Sequence, residues 1–592
     1  MLQHWYVGIF RICILGLMAG GCGSRNNEEN NLGWQSNKDT SLVENSDDGD
    51  TRIFVTPGTE TSLHGSDFTD SNSNWVETEA ADSEYPWPDM NTDTDSGCSN
   101  DTSPADSAFK TDTGEANSDT RTDTAVDSEI GSAVVSDSVF DTLETVIDDS
   151  DTVAALVEMG ERFSISGEFS SKISNVAIVS WSAAVPIDDA FIDFGPANGH
   201  FIYTAPVDLN APAYRTRLLG MTSDSDWKYV IRAKSDGVTF RSAVQYISTP
   251  AHPAGLCGDA TLTNYDVEGE VYGGFTVACT FGNASGTGGA LACIFDRNGE
   301  LVWGHRTAGG SDCMRALMSS DGEYLYLANG NVPGPDNGTL TRVSMDGLVE
   351  KSYVIPRRHH DIAVVPPNDT RSERIALMVY NADDGCDTIQ LLDPETGQIF
   401  DLVNLRRYIS VADCHTNAIN YELASDSFTI SVLNANAIVN VDSHGELIWI
   451  VGGEDATLTG FEFENGHQHQ LLDKGNLLLF NNRGFTAPDG VALKSQPPFY
   501  AYSYVVEIAL DLNAQTATYL WHYDGNDGTL SMGDAKRLPN GNTLVTYSNS
   551  GTMHEVSPDG RLLQKSTWNV LGGIGYTVRR STLYGPPPEY LY

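Results

Sequence analysis

The sequence predicts an all-β protein, and three observations lead to that prediction. From about residue 160 onward, short stretches of alternating apolar and polar residues recur between turns rich in Gly, Asn, Asp and Pro. Helical periodicity is almost absent, and from about residue 265 two turn-and-strand motifs alternate along the chain. We therefore expect an N-terminal β-sandwich followed by a six-bladed β-propeller, with a disordered tether in front of both.

The chain begins with MLQHWYVGIFRICILGLMAGGCGS, which is typical of a bacterial export signal. Arg11 supplies the positive charge, and the apolar core that follows is too short to span a bilayer. The small residues before Cys22 are similar to a lipobox, with Ala19 where Leu is usual. We expect residues 1–21 to be a lipoprotein signal peptide and Cys22 to carry a lipid anchor, with simple secretion as the alternative. Gly23 favours the outer membrane, at its periplasmic face or at the cell surface.

Residues 22–157 are predicted to be a disordered, acidic linker rich in Asp, Ser and Thr. Between residues 23 and 155 there are 31 acidic and 5 basic residues, a net charge of −26 out of −47 for the whole chain. Such a segment has too little apolar surface to offset its chain entropy. The same acidity argues against a nucleic-acid partner.

Residues 158–252 are predicted to form the β-sandwich. Five strand-like stretches, at 175–182, 189–195, 215–221, 228–236 and 244–249, are separated by turn residues. Because the region has no cysteine pair, a fibronectin-III-like module fits better than an immunoglobulin domain. A spacer or docking role is the expectation for it.

Residues 253–592 are predicted to form the propeller. One motif has the form Asp-x-x-Gly-x-Leu-x-Trp, as in FDRNGELVWGH (295–305), and the other surrounds an Asn-Gly turn, as in LPNGNTLVTYSNSG (538–551). A closed ring of blades is preferred to an open solenoid because it leaves only short sheet edges exposed. The motifs define six units: 270–310, 313–355, 359–405, 414–452, 467–522 and 533–570.

Histidines recur just before a predicted strand in three successive units: RRHHDIAVV (357–365), DCHTNAINY (413–421) and GHQHQLLDKGNLLLFNN (466–482). In a propeller, the residue before each innermost strand opens near one mouth of the axial channel. Convergent imidazoles there predict a nucleophile, a general acid or base, or a metal ligand. Aligning the units places five positions around the axis: Arg315, His360, His415, His469, and Asp534 or Ala535. Asn417, two residues after His415, is expected to face the same way.

These segments resemble the bacterial arylsulfate sulfotransferases, which are six-bladed propellers with an N-terminal β-sandwich. The resemblance covers about residues 160–592 and includes HHD (359–361), HTNAI (415–419) and the Gln-His pair before a Gly-Asn strand. It implies transfer of a sulfuryl group from an aryl sulfate to a phenol, through a transient sulfohistidine and without a nucleotide donor, cofactor or metal.

The resemblance also implies roles for single residues. His469 is the expected nucleophile, and His360 and His415 are expected to hold sulfuryl oxygens or to act as acid and base. Asn417 is expected to donate to a sulfate oxygen. His359, Arg315 and Asn417 form the expected substrate-binding set, although one of His359 and His360 is expected to be structural. His467, two residues from the nucleophile, is assigned at most a supporting part.

One departure from the family pattern matters. The family typically has an Arg-His pair on the strand after the His-x-Asn motif, and Leu433 stands at the Arg position here. A cation there would stabilise charge on the transferring group. Arg315 is a possible substitute for it. The alternatives are a non-catalytic propeller that binds a ligand or partner protein, and a metal-dependent hydrolase in which the three histidines bind zinc.

Six cysteines fall in the predicted propeller, and export would allow them to form disulfides. They permit fifteen pairings, which spacing alone does not resolve. We favour Cys386–Cys414, because both residues flank the predicted site. A cysteine metal site is disfavoured because no pair has C-x-x-C spacing.

Overall fold

The computed structural model describes residues 157–158 and 163–586, except for 254–255, 258, 266–268, 282–288, 310–311, 331–337, 487–491, 495–502, 569 and 571. The predicted signal peptide, Cys22 and almost all of the predicted tether lie outside these residues. The helices in the described part are three short 3₁₀ turns, at Pro212–Tyr214, Leu405–Arg407 and Ser548–Ser550. None of them is long or apolar enough to cross a membrane. The all-β prediction is confirmed.

The N-terminal region contains nine strands: β1 (Val157–Glu158), β2 (Phe163–Phe169), β3 (Ala177–Ala183), β4 (Asp189–Pro196), β5 (Tyr203–Pro206), β6 (Thr216–Leu218), β7 (Asp226–Ser235), β8 (Val238–Arg241) and β9 (Gln245–Ser248). One sheet has the order β1-β8-β7-β4-β5, with β9 paired to β7, and the other has the order β2-β3-β6. Trp181, Phe194, Leu218 and Ile231, from both sheets, share one buried core. The finer likeness to a fibronectin module stays a prediction.

Six further sheets follow, one for each predicted unit, and they form the blades of the propeller. The first blade has β11 (Phe275–Cys279), β12 (Leu291–Phe295) and β13 (Leu301–Arg306). The second has β14 (Cys313–Met318), β15 (Tyr324–Asn329), β16 (Thr339–Ser344) and β17 (Glu350–Val354). The third has β18 (Arg358–Val365), β19 (Arg374–Asn381), β20 (Cys386–Leu392) and β21 (Ile399–Asn404).

The remaining blades repeat this meander. The fourth has β22 (Thr416–Glu422), β23 (Ser427–Val432), β24 (Ala437–Asp442) and β25 (Leu447–Val451). The fifth has β26 (Glu462–Leu471), β27 (Asn476–Thr486), β29 (Tyr504–Asp511) and β30 (Thr516–Asp524), with β28 (Ala492–Lys494) on the edge of β27. The sixth has β31 (Asp534–Arg537), β32 (Thr543–Tyr547), β33 (Thr552–Val556) and β34 (Leu562–Thr567).

Two short strands close the ring, because each joins the blade at the other end of the propeller sequence. β10 (Thr261–Asn264) pairs antiparallel with β34 and becomes the outer strand of the sixth blade. β35 (Val578–Arg580) pairs antiparallel with β11 and becomes the innermost strand of the first blade. The ends of the propeller are therefore held by backbone hydrogen bonds at both its inner and its outer circumference.

Three disulfides lie within the described propeller: Cys257–Cys293, Cys279–Cys313 and Cys386–Cys414. The third confirms the one pairing that the sequence analysis favoured. It joins the start of β20 to the residue that precedes His415, so it ties the third blade to the fourth at the predicted site.

Candidate functional site

Each innermost strand of the second to fifth blades is interrupted by a β-bulge. The register of these strands against their neighbours shifts at Cys313/Arg315, Arg358/Ile362, Thr416/Ala418 and Gly466/His469. A bulge breaks the strict alternation of side chains and turns a residue out of the direction that the strand would give it. The predicted site residues fall in or beside these four bulges.

The bulges of the third and fourth blades bring three imidazoles together. His360 and His415 both adopt left-handed backbone conformations, with φ of 49° and 51°, which non-glycine residues seldom occupy. Their ring centroids lie 5.1 Å apart, and the ring of His359 lies 5.0 Å from that of His360 and 6.3 Å from that of His415. Of the three histidines predicted to converge, His360, His415 and His469, the structure brings the first two together and places His359 beside them.

A chain of hydrogen bonds sets the protonation of His359 and His360. Nε2 of the buried His359 lies 2.8 Å from Oδ1 of Asp387, and its Nδ1 lies 2.8 Å from Nδ1 of His360. Because a carboxylate only accepts, His359 carries its proton on Nε2, and its Nδ1 then accepts from the Nδ1–H of His360. This assignment leaves the lone pair of His360 on Nε2. Sequence analysis gave His359 a substrate-binding part, whereas the structure places it between Asp387 and His360.

His467 is held in one tautomer by Asn482. Nδ2 of Asn482 donates to the carbonyl oxygens of Thr529 and Met532, both at 2.9 Å. Its Oδ1 therefore faces His467, whose Nδ1 lies 2.5 Å away and must be the donor. The lone pair of His467 consequently lies on Nε2, which is the form that an imidazole nucleophile requires.

The electrostatics connect His467 to His360 and His415. Burial, followed by the neighbouring His359, His415, His467 and Arg358, lowers the pKa of His360 well below its usual value. Burial lowers the pKa of His467 to about 4. Hydrogen bonds to Asn482 and to the backbone of Asn465 act in the opposite direction, and His415 adds a smaller lowering. Burial, followed by His359, lowers the pKa of His415 to about 4. At neutral pH these three imidazoles are uncharged, as nucleophiles and general bases must be.

No ring contact joins His469, the predicted nucleophile, to His359, His360 or His415 in the described part of the chain. The bulge between Gly466 and His469 inserts one extra residue opposite β27, so His467 and His469 do not share the face that a regular strand would give them. Burial, followed by Lys536, lowers the pKa of His469 to about 3, while the backbone of His467 and Thr429 acts in the opposite direction. The ring is fully buried, and neither of its nitrogens makes a well-aligned hydrogen bond to a described residue. This placement does not support the predicted role.

Arg315 also differs from the prediction. Its Nη1 donates to Oδ2 of Asp534 at 3.1 Å, and its Nε lies 3.1 Å from Oδ1 of Asp361. The guanidinium is buried and stacks 5.4 Å from the ring centroid of Tyr576. With two carboxylates as partners, Arg315 is neutralised within the propeller axis, so it is unsuited to bind a substrate anion. Asp361 of the HHD motif thus pairs with Arg315, and not with His360.

Asn417 and Leu433 are the other two residues of the fourth blade at the candidate site. Nδ2 of the buried Asn417 donates to the carbonyl oxygen of Gly466 at 3.2 Å, which commits one amide hydrogen to the bulge that carries His467. Oδ1 of Asn417 has no partner among the described residues. The backbone N–H of Leu433 donates to the carbonyl oxygen of His415 at 3.0 Å. The residue that replaces the family's Arg therefore lies next to the site.

Among the described residues, no group of three or more His, Cys, Asp or Glu side chains is arranged to hold a metal ion. The nitrogen atoms of His359 are also unavailable to a metal ion. Nδ1 of His359 and Nδ1 of His360 face each other, and the remaining nitrogen of His359 is occupied by Asp387. A zinc ion needs the lone pairs of its histidine ligands to converge on one point, so the zinc alternative receives no support from this geometry.

An open groove of about 480 Å³ lies against the third blade, away from the histidines. Its lining includes Arg357, Tyr380, Gln390 and Asp401, and none of the predicted site residues. Because the groove is shallow and lacks a nucleophile paired with a base, we assign no chemistry to it.

Sequence reasoning missed three residues of this site: Asp387, Asn482 and Arg358. Asp387 lies on β20, the third strand of its blade, and Asn482 lies on β27, the second strand of its blade, so neither belongs to the aligned innermost strands. The Asn-Asn pair after the Gly-Asn strand was the only signal for Asn482. His467 was visible in the sequence, but the bulge that separates it from His469 was not.

Comparison with solved structures finds proteins of low similarity. A protein of unknown function from Bacteroides caccae is 13% identical, with 51% of this chain and 98% of that chain covered and a TM-score of 0.33. Virginiamycin B lyase from Staphylococcus aureus is 9% identical, with 52% and 88% covered and a TM-score of 0.29. The Dos1 propeller is 13% identical, with 54% and 78% covered and a TM-score of 0.27. Likenesses this distant carry no argument.

Comparison with curated proteins finds no match to this sequence. Comparison with protein families gives a different result. The sequence pattern of the arylsulfotransferases (ASST) matches residues 267–568, which is just over half of the chain and includes the histidine cluster, Asp387 and Asn482. The chain therefore belongs to the arylsulfotransferase family.

Proposed function

We propose that this protein transfers a sulfuryl group from an aryl sulfate to a phenol, with Nε2 of His467 as the nucleophile. The observation that carries the proposal is the tautomer of His467. Its Nδ1–H is fixed on Asn482, so Nε2 carries the lone pair, and His467 is one of the groups that lower the pKa of His360. A neutral, oriented imidazole at pH 7 is suited to nucleophilic catalysis.

In the first step, the Nε2 lone pair attacks the sulfur of the aryl sulfate and forms an N–S bond. The S–O bond to the aryl group breaks, and its electron pair leaves with the phenolate oxygen. The sulfated imidazole carries a positive charge, which Oδ1 of Asn482 stabilises through the Nδ1–H. The product of this half-reaction is a sulfohistidine at His467.

In the second step, the oxygen of the acceptor phenol attacks the same sulfur. Nε2 of His360 takes the phenolic proton, and the N–S electron pair returns to His467. The proton then passes through solvent to the phenolate released in the first step, so that the sum is one aryl sulfate exchanged for another. The fixed His359–Asp387 pair suits this role for His360, because it keeps the Nδ1–H of His360 occupied.

The test compares His467→Ala with His469→Ala in the full-length chain, using para-nitrophenyl sulfate as donor and phenol as acceptor. Loss of a nucleophile is expected to lower turnover by about a thousandfold or more. His469→Ala is the matched control, since it removes the same side chain from the same strand. We expect it to keep turnover within about tenfold of the wild type.

The intermediate gives a second measurement. After donor alone is added and the protein is denatured in alkali, mass spectrometry should find one sulfuryl group on the peptide that contains residues 466–471 in the wild type and in His469→Ala. The sulfuryl group should be absent from His467→Ala. The reverse pattern would assign the nucleophile to His469, and a folded wild type with no turnover on several donors would reject the function.

The proposal extends to the compartment. We propose that the protein is an exported lipoprotein of the outer membrane, anchored through Cys22. Three disulfides in the propeller fit an oxidising compartment. Labelling with a radioactive fatty acid should mark the wild type and leave Cys22→Ala unmarked.

A further inference from the structure

Three cationic side chains lie near the axis of the propeller, and two of them have partners that neutralise the charge or take up the donors. Arg315 pairs with the carboxylates of Asp361 and Asp534. Lys536 donates its three hydrogens to Oδ1 of Asn420 at 2.9 Å, Oε1 of Gln468 at 3.2 Å and the carbonyl oxygen of His469 at 2.8 Å. The charge of Arg315 is therefore matched by two carboxylates, and all three hydrogens of the Lys536 ammonium are committed.

Arg358 is different. It is completely buried at the start of β18, one residue before His359. Its Nη2 donates to the carbonyl oxygens of Asn329 and Gly330, and its Nη1 lies 3.5 Å from the carbonyl oxygen of His360. Its Nε has no partner in the described part of the chain. Of five N–H donors, Nε–H and one hydrogen of Nη1 are therefore uncommitted.

The charge of Arg358 is also uncompensated. Within the described ranges, no carboxylate lies at ion-pairing distance from its guanidinium. Asp361, the acidic residue that acts on it from farther away, is already paired with Arg315. Burying a cation without a counter-ion is costly, and carbonyl oxygens offset only part of that cost. Such a side chain is what a site prepared for an anionic ligand requires.

Arg358 acts directly on the histidine cluster. Burial lowers the pKa of its guanidinium to about 10, so it stays charged at neutral pH. Its field is one of the causes that lower the pKa of His360, and its Nη1 is close to the His360 backbone. The charge therefore lies beside the group that would face the transferring sulfuryl group.

We propose that Arg358 binds the sulfuryl oxygens of the donor ester and supplies, from the third blade, the cation that Leu433 leaves out of the fourth. The proposal rests on the proposed function and names a further substrate-binding residue for it. A guanidinium is planar and presents parallel N–H donors, which suits two oxygens of a tetrahedral sulfate group. Arg358 lies beside the backbone of His360, and Leu433 lies beside the backbone of His415. In this proposal His360 and His415 therefore lie between Arg358 and Leu433, and the guanidinium approaches the sulfuryl group from the side opposite Leu433.

Donor binding without turnover tests this inference. The full-length His467→Ala protein and its double variant with Arg358→Gln are titrated calorimetrically with para-nitrophenyl sulfate and, separately, with neutral phenol. We expect Arg358→Gln to weaken donor binding by about 10- to 100-fold, the range for a hydrogen bond to a charged group. Phenol binding should change by less than about threefold.

Arg407→Gln in the same background is the matched control. It removes the same charge from an exposed ion pair with Glu446, remote from the histidines in the outer part of the third blade. It should leave donor binding unchanged. Circular dichroism and the thermal unfolding midpoint establish that each variant is folded.

Equal donor affinity in folded Arg358→Gln and Arg358 proteins would overturn the inference. If Arg358→Gln does not fold, Arg358→Lys takes its place, because it keeps the positive charge and lacks the parallel N–H donors of the guanidinium. Donor binding weakened by about fivefold or more supports the inference, and binding as tight as with Arg overturns it.

The outcomes separate this inference from the proposed function. If the wild type turns over the donor but Arg358→Gln binds it with unchanged affinity, the proposed sulfotransferase function stands and the role of Arg358 is rejected. Donor binding that depends on Arg358, without turnover in the wild type, would retain the anion site and reject the transferase.

Discussion

At the scale of single residues, the site depends on which nitrogen of each imidazole carries the proton. Asp387 determines this for His359, His359 determines it for His360, and Asn482 determines it for His467. Each determining group is itself held, since Asp387 accepts the backbone N–H of Thr416 at 2.8 Å and Asn482 donates to two carbonyl oxygens. Under the proposed function, residues with no part in the reaction itself therefore define the chemistry of those that react.

Asn482→Asp is predicted to shift the pH dependence of the donor half-reaction. Burial lowers the pKa of His467 to about 4, so the neutral nucleophile predominates above that pH and is lost as the pH falls through it. A carboxylate 2.5 Å from Nδ1 stabilises the imidazolium and raises this pKa. We expect the acid limb of the pH–rate profile for kcat/KM of the donor to move up by about one unit or more.

Asn482→Ala is predicted to lower kcat without moving the acid limb of the pH–rate profile upward. It removes the acceptor that selects the tautomer, and the expected loss in kcat is about 10- to 100-fold, as for other residues that orient a catalytic group. Asn440→Asp is the control for Asn482→Asp, because Asn440 is buried and its side chain bonds Ser427 and Phe428 in the described part of the chain. An acid limb that moves equally in Asn440→Asp and Asn482→Asp would show that Asn482 does not act on His467.

At the scale of strands, the bulges explain why the sequence predicted part of the site and not all of it. Period-2 alternation and turn residues suffice to predict six units and the convergence of His360 and His415. Alternation also predicts that His467 and His469 share a face, and the one-residue bulge at Gly466/His469 removes that equivalence. A bulge depends on pairing with the next strand, which a single strand's sequence does not encode.

The Cys386–Cys414 disulfide is predicted to matter for activity as well as for stability. Cys386 precedes Asp387, and Cys414 precedes His415. The bond therefore fixes the backbone immediately before two site residues. Its 28-residue separation predicts a loss of about 3–4 kcal/mol in the free energy of unfolding when both cysteines are replaced by Ser. We also expect kcat to fall by about tenfold or more, because small displacements of positioned groups are costly.

Cys257–Cys293 provides the matched control for that prediction. Its 36-residue separation gives nearly the same loop entropy, and it lies in the first blade, away from the histidines. The double Ser variant at this bond should lose similar stability in urea unfolding and keep the wild-type kcat. Equal losses of kcat in the two variants would mean that the Cys386–Cys414 bond contributes only general stability.

At the scale of the whole molecule, ring closure places a dense set of buried polar groups at the axis. β10 and β35, which close the ring, come from opposite ends of the propeller sequence. Their four and three residues are too short for periodicity to reveal, so the closure could not be predicted from the sequence. Arg358 illustrates the same limit, since its importance depends on partners from β15 that are distant in sequence.

The buried histidines also make the stability of the whole fold depend on pH. Burial lowers the pKa of His415, His467 and His554 to about 4, and that of His469 to about 3. An unfolded chain binds protons at about pH 6.5, so it takes up more protons than the folded chain as the pH falls from 6.5 to 4. The contribution of these residues is therefore fully present above pH 6.5 and is lost across that window. Buried Asp361 and Glu422, whose pKa values are raised, act with the opposite sign.

His554 isolates this effect, because it lies in the sixth blade, outside the proposed site. Tyr523, Tyr547, Asp527 and Lys565 surround it; burial and then Lys565 lower its pKa, while Asp527 opposes them. From pH 7.5 to pH 5, His554→Gln should lose about 2 kcal/mol less unfolding free energy than the wild type, as measured by urea unfolding at both pH values. The exposed His444→Gln is the control and should follow the wild type. Parallel pH dependences for His554→Gln and the wild type would show that His554 is protonated alike in the folded and unfolded chains.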